Sequence, residues 1–152
     1  MSEPLHISRE DLSAGSHITW NAFVGFLASA NYENLTEIQR AAFLVFCYES
    51  EVQNGGHMQY FENLGLNRLA ETANALRTMH AECFADVLVN ASRQRSSRNR
   101  VPIQSSAEYA LQAQQEELSE FDSSFHKCKT ELIKLLEQFM KKNLDSFIRI
   151  VD

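Results

Sequence analysis

Two prolines and five glycines in 152 residues are too few for a chain built from tight turns. With so few breakers, long helices are favoured over a turn-rich β fold. Cysteine is scarce too: Cys47, Cys83 and Cys128 are odd in number and widely spaced. That pattern predicts free thiols in a reducing compartment and no disulfide framework. No run approaches the ~18–20 apolar residues of a membrane span, which predicts a soluble chain with no membrane partner. The first twenty residues carry Glu3, Glu10 and Asp11 and lack a basic start and an apolar stretch. This argues against a secretory signal and for a cytoplasmic address. No repeat of solenoid period is present.

What is there reads as globular: 44% of residues are apolar and 22% charged, ordinary values for a folded domain. A chain of this length buries about 68–70% of its unfolded surface, so neither cofactor nor disulfide is needed to explain folding. One domain spanning residues 1–152 is expected, with 1–16 as a flexible N-terminal segment and 92–106 as a Ser/Arg-rich loop. The net charge is −6 and uneven. Residues 1–92 hold 11 acidic and 4 basic groups, 93–100 hold 4 arginines, 101–126 hold 5 acids, and 127–152 hold 6 basic and 4 acidic groups.

Periodicity predicts an all-α, multi-helix domain of about six to eight helices. Trp20, Phe23, Val24 and Leu27 recur at i, i+3, i+4, i+7. Thr36-Glu37-Ile38-Gln39 reads as a capping box opening a helix that stops at Gly55-Gly56. A short helix follows over 57–64, and Asn67 caps another reaching Met79. A further helix covers 81–91, and Ser106 caps one reaching about Leu118. The strongest periodic run is Phe125, Cys128, Leu132, Leu135, Leu136 and Phe139, and a short terminal helix carries Leu144, Phe147 and Ile148.

The run Glu51-Val52-Gln53-Asn54-Gly55-Gly56-His57-Met58-Gln59-Tyr60-Phe61-Glu62-Asn63-Leu64-Gly65 resembles the signature of a bacterial family typified by DNA-mimic proteins. Glu51, Asn54, Gly55, Gly56, Gln59, Tyr60, Phe61, Asn63 and Gly65 carry the likeness. Ala75-Leu76-Arg77 and Phe121-Asp122-Ser123-Ser124-Phe125 agree with later helices of that family. Met79-His80-Ala81 departs from its usual aliphatic-Gly-Ala turn, and Leu64 takes a place often held by serine. The resemblance implies a helical fold and, in the namesake behaviour, an acidic face occupying the DNA-binding surface of a transcription regulator.

A compact domain of this length is about 40 Å across, and duplex DNA of that length carries about 23 phosphates, half of them on one side. A mimic then needs about ten carboxylates on one face. Candidates are Glu49, Glu62, Glu71, Glu82, Asp86, Glu116, Glu117, Glu120 and Asp122. No cofactor is implied, and the expected partner is a protein, with no direct nucleic-acid binding. A homodimer through an apolar helix face is a third reading.

Catalysis finds little support. The Asn54-Gly55-Gly56 corner could hold an anion, yet no P-loop lysine or dinucleotide pattern accompanies it, so its glycines read as architectural. An enzyme or metal-dependent small-molecule protein built on that corner is the rival reading. His80, Cys83, His126 and Cys128 are zinc-ligand types. On one continuous helix, however, His126 and Cys128 diverge by about 200°. The cysteines then read as small core residues, with no metal. Glu49 with Glu51, and Glu116 with Glu117, do not converge on a helix. Arg93 to Arg100 is short and lacks interleaved aromatics, so it reads as a solvated loop.

Overall fold

The computed structural model describes residues 2–97, 103–115 and 118–152, with 112–115 described in their backbone alone. The helices are α1 Arg9–Ser13, α2 His17–Ser29, α3 Glu37–Leu64, α4 Leu69–Thr78, α5 Glu82–Ser96, α6 Ser106–Gln115, α7 Ser119–Lys127 and α8 Leu132–Lys142. Single 3-10 turns occupy Tyr32–Asn34 and Leu144–Ser146. The all-α class holds. Among the described residues no helix is long and apolar enough to cross a membrane.

α3 is the central element. Its start follows the expected capping box: Thr36 Oγ1 accepts from the Gln39 amide at 3.3 Å, and Gln39 Oε1 accepts from the Thr36 amide at 3.0 Å. Around α3 pack α4, α7 and α8, and α5 in turn packs against α4 and α7. One hydrophobic core unites them. Phe147 meets the edges of Phe23 and Phe26 at 4.8 and 5.8 Å. Phe125 meets Phe84 at 4.9 Å and Tyr48 at 5.6 Å.

The N-terminal segment 1–16 contains regular structure. Leu5–Ser8 forms β1, which pairs in parallel with β2, Ile148–Val151, in the register Leu5↔Ile148 and Ile7↔Ile150. β-Branched Ile7 and Ile148 are buried by this pairing. The expected terminal helix is therefore a 3-10 turn followed by a strand, with Phe147 and Ile148 still in the core. The Gln39 side chain holds the arrangement together: its amide donates to Ser2 O at 3.1 Å and Ser146 O at 2.7 Å.

Three boundaries also move. α4 begins at Leu69 with Arg68, and not Asn67, at the N-cap. α5 continues to Ser96, so the first part of the expected 92–106 loop is helical, with Ser92 buried and its hydroxyl bonded to Val89 O at 2.6 Å. Residues 98–102 of that loop lie outside the described residues. The long periodic run divides between α7 and α8, where Cys128 and Glu131 both adopt extended backbone.

Candidate functional site

The motif run folds into one construction around a break in α3. Gly55 (φ −151°, ψ 22°) and Gly56 (φ 72°, ψ −175°) leave helical geometry, so the helix turns and resumes at His57. The left-handed φ of Gly56 suits a residue without Cβ. A Cβ there would lie 2.5 Å from Asp122 Oδ2. Across the break, Glu51 Oε2 accepts from Gln59 Nε2 at 2.8 Å and from Asn63 Nδ2 at 2.9 Å, tying the two halves together. Tyr60 and Phe61 are buried in the core, and Gly65 (φ 64°) closes the helix with its amide on Phe61 O at 2.8 Å.

Resuming a helix leaves backbone amides without partners. Asp122, carried on α7, supplies an acceptor: Oδ1 takes the His57 backbone N–H at 2.8 Å and His57 Nδ1–H at 2.7 Å. The other ring nitrogen, Nε2, is hydrogen-bonded to the Tyr48 hydroxyl at 2.7 Å. Burial works against the Asp122 charge, but the two bonds from His57 outweigh it and hold the carboxyl below its usual value. Tyr48 is pushed well above the ordinary phenol, chiefly by burial. His57 and Tyr48 are fully buried and Asp122 is half-buried, and the chain of bonds joins α7 to both halves of α3 as a structural clamp. Sequence reading missed it, because His57 read as a spacer within the motif and Asp122 as a surface acid. The partners are 65 residues apart, and no local pattern joins them. Beside the clamp, Asn54, Gln59, Tyr109, Leu118, Ser119 and Asp122 line a cavity of about 400 Å³.

The candidate carboxylates divide by use. Glu62 is ion-paired with Arg95, and Glu71 with Arg68 while also accepting from the Tyr32 hydroxyl. Asp122 belongs to the clamp. Glu49 is half-buried, and burial raises its pKa despite an opposing bond from Gln53. Glu82, Asp86 and Glu120 are exposed and have no ion-pair partner among the described residues. Glu82 and Asp86 stand one turn apart on α5. Glu116 and Glu117 lie outside the described residues.

The free-thiol expectation is overturned for two of the three cysteines. Cys83 in the first turn of α5 and Cys128 form a disulfide, with their Cα atoms 6.0 Å apart. The expectation rested on the odd number and wide spacing of the cysteines, which say nothing about which two the fold brings together. α7 ends at Lys127, and the extended backbone of Cys128 turns its side chain to α5. Cys47 remains free and half-buried; burial, with Glu51 nearby, pushes its pKa up to about 11.

A family model described as "DMP19-like protein" matches residues 33–143, the span holding the break, the clamp and the disulfide. The chain belongs to the DMP19-like family. No curated protein and no solved structure gives a match. In this DMP19-like chain the matched span omits β1, α1, α2 and β2, so the terminal ribbon lies outside the matched region.

Proposed function

We propose that this DMP19-like chain is a non-enzymatic protein-binding domain that acts as a DNA mimic. Its acidic surface would occupy the DNA-binding surface of a basic transcription regulator. The observation that carries the reading is how the charges are spent. Arg68 is held on Glu33 at 3.0 Å and stacks over Tyr32, Arg40 is bonded to Tyr32 O and Glu33 O, and Arg95 sits on Glu62. Glu82, Asp86 and Glu120 are exposed and have no ion pair among the described residues, although Glu82 shares a cavity wall with Lys127 and Lys129. Single surface pairs contribute little. A field of unneutralised carboxylates nevertheless steers a basic partner and gives salt-dependent association.

Membership in the family supports this reading. The test is capture of partners from the cell of origin, followed by competition between this protein and the captured regulator's own DNA site. Displacement of DNA that weakens with salt, and weakens again in Glu82→Lys/Asp86→Lys, is expected. Partners that bind no DNA, or binding indifferent to competing DNA, would sink the idea. The rival small-molecule reading draws on the cavity beside Asn54 and Gly55.

A further inference from the structure

The Cys83–Cys128 disulfide forms part of the wall of an open cavity of about 490 Å³, lined also by His80, Glu82, Phe84, Lys127, Lys129 and Leu135. Cys83 is exposed and Cys128 half-buried, so the sulfur pair is within reach of solvent species. Lys127 and Lys129 flank Cys128, are exposed, and have no ion-pair partner among the described residues. Cys83 sits in the first turn of the 15-residue α5. A thiolate there is favoured by the positive end of the helix, with the neighbouring Glu82 opposing.

We propose that Cys83–Cys128 is a thiol–disulfide exchange site whose substrate is an anionic, carboxylate-bearing small thiol drawn to Cys128 by Lys127 and Lys129. The substrate thiolate RS⁻ attacks Cys128 Sγ along the axis of the existing bond. An R–S–Sγ bond forms at Cys128, the Cys83–Cys128 bond breaks, and the electron pair leaves on Cys83 Sγ. A second RS⁻ then attacks the substrate sulfur of the mixed disulfide, releasing RSSR and the Cys128 thiolate. Protonation of both cysteines completes the exchange: two RSH become RSSR, and the protein takes up two electrons and two protons.

The direction of attack follows from charge. The lysines concentrate the anion at Cys128, and the helix terminus receives the leaving thiolate at Cys83. Exchange leaves the fold standing, because α7 stays fixed by Asp122 on His57 and by Phe125 against Phe84. What changes is the tether between the end of α7 and the start of α5. Cys47 takes no part, since its raised pKa leaves almost no thiolate near neutrality.

The experiment treats the oxidised full-length protein with glutathione or with cysteamine, compared per unit of thiolate, with intact mass and peptide mapping as readouts. At low ionic strength glutathione is expected to react about tenfold faster, through electrostatic steering. That advantage should collapse in about 0.5 M salt, where the screening length is a few ångströms. The adduct should sit on Cys128 with a free thiol on Cys83, while the circular dichroism spectrum is unchanged. In Lys127→Glu/Lys129→Glu the preference should reverse toward cysteamine. Reaction only after unfolding in urea, an equal rate for the two thiols, or an adduct mapped to Cys83 would each overturn the proposal.

Discussion

Asp122 and His57, 65 residues apart, are joined twice, one carboxylate oxygen accepting both the backbone N–H and the ring N–H of the same residue. The pair fastens α7 to the point where α3 resumes. Asp122→Asn removes the charge from both bonds. Charge-assisted bonds contribute about 1.5–3 kcal/mol, and the side chain is 35% exposed, so a loss near the lower end, about 1.5 kcal/mol, is expected from urea unfolding.

The same pair predicts a pH dependence. The folded carboxyl of Asp122 lies below its ordinary 3.8, so its contribution is complete above that value. It is lost as pH falls from there through the lowered folded value. Wild-type protein should therefore lose stability between neutral pH and pH about 3 by a larger increment than Asp122→Asn. Parallel pH profiles for the two proteins would show that the carboxylate is not linked to folding.

The two glycines of the break should respond differently to alanine. At Gly56 a side chain meets left-handed backbone and the doubly bonded Asp122 carboxylate. A cost of about 1–3 kcal/mol follows. At Gly55 the backbone is not left-handed (φ −151°), and the new atom meets Gln59, whose amide can swing away from Glu51 while its Cβ, at 2.8 Å, must shift by a few tenths of an ångström. A smaller shift in denaturation midpoint is expected there, and equal shifts would contradict the geometry.

Gln39→Leu should loosen both ends of the chain at once. Three bonds are lost, to Thr36 N, Ser2 O and Ser146 O, each contributing about 0.5–1.5 kcal/mol. Besides a lower midpoint, amide exchange at Leu5 and Ile7 should quicken. Unchanged exchange there would mean the strands hold themselves.

Cys47 should resist alkylation in the native oxidised protein. With a pKa of about 11, roughly one molecule in a thousand carries the thiolate at pH 8. Iodoacetamide labelling should be slow at pH 8 and rise about tenfold per pH unit. Rapid labelling at pH 8 would place the thiol in a different environment.

How far the sequence could be read depended on how local each signal is. The Thr36–Gln39 box and the Gly55–Gly56 break involve neighbours within a few residues, and both were legible. β1 and β2 were not, because each is four residues long and its partner is at the other end of the chain. The disulfide was hidden for a different reason: three cysteines at wide spacing leave the pairing open, and the end of the helix at Lys127, which turns Cys128 toward α5, does not show in an apolar period that runs on through Phe125, Cys128 and Leu132. At the candidate site the motif residues were found as a group. The role of Glu51 as the staple across the break emerges only from the bend itself, and the pairing of Glu62 depended on Arg95, 33 residues away.

The parallel pairing of β1 with β2 also bears on how the molecule is assembled during synthesis. Leu5 meets Ile148 across 143 residues, and β2 leaves the ribosome after every helix has emerged. Local helical contacts form early, and long-range closure comes late. Ile7 therefore lacks its strand partner until Ile148 and Ile150 arrive, with only α1 and α2 at hand to cover it. Between the synthesis of β1 and that of β2, a holding chaperone would have an unpaired apolar strand to grip.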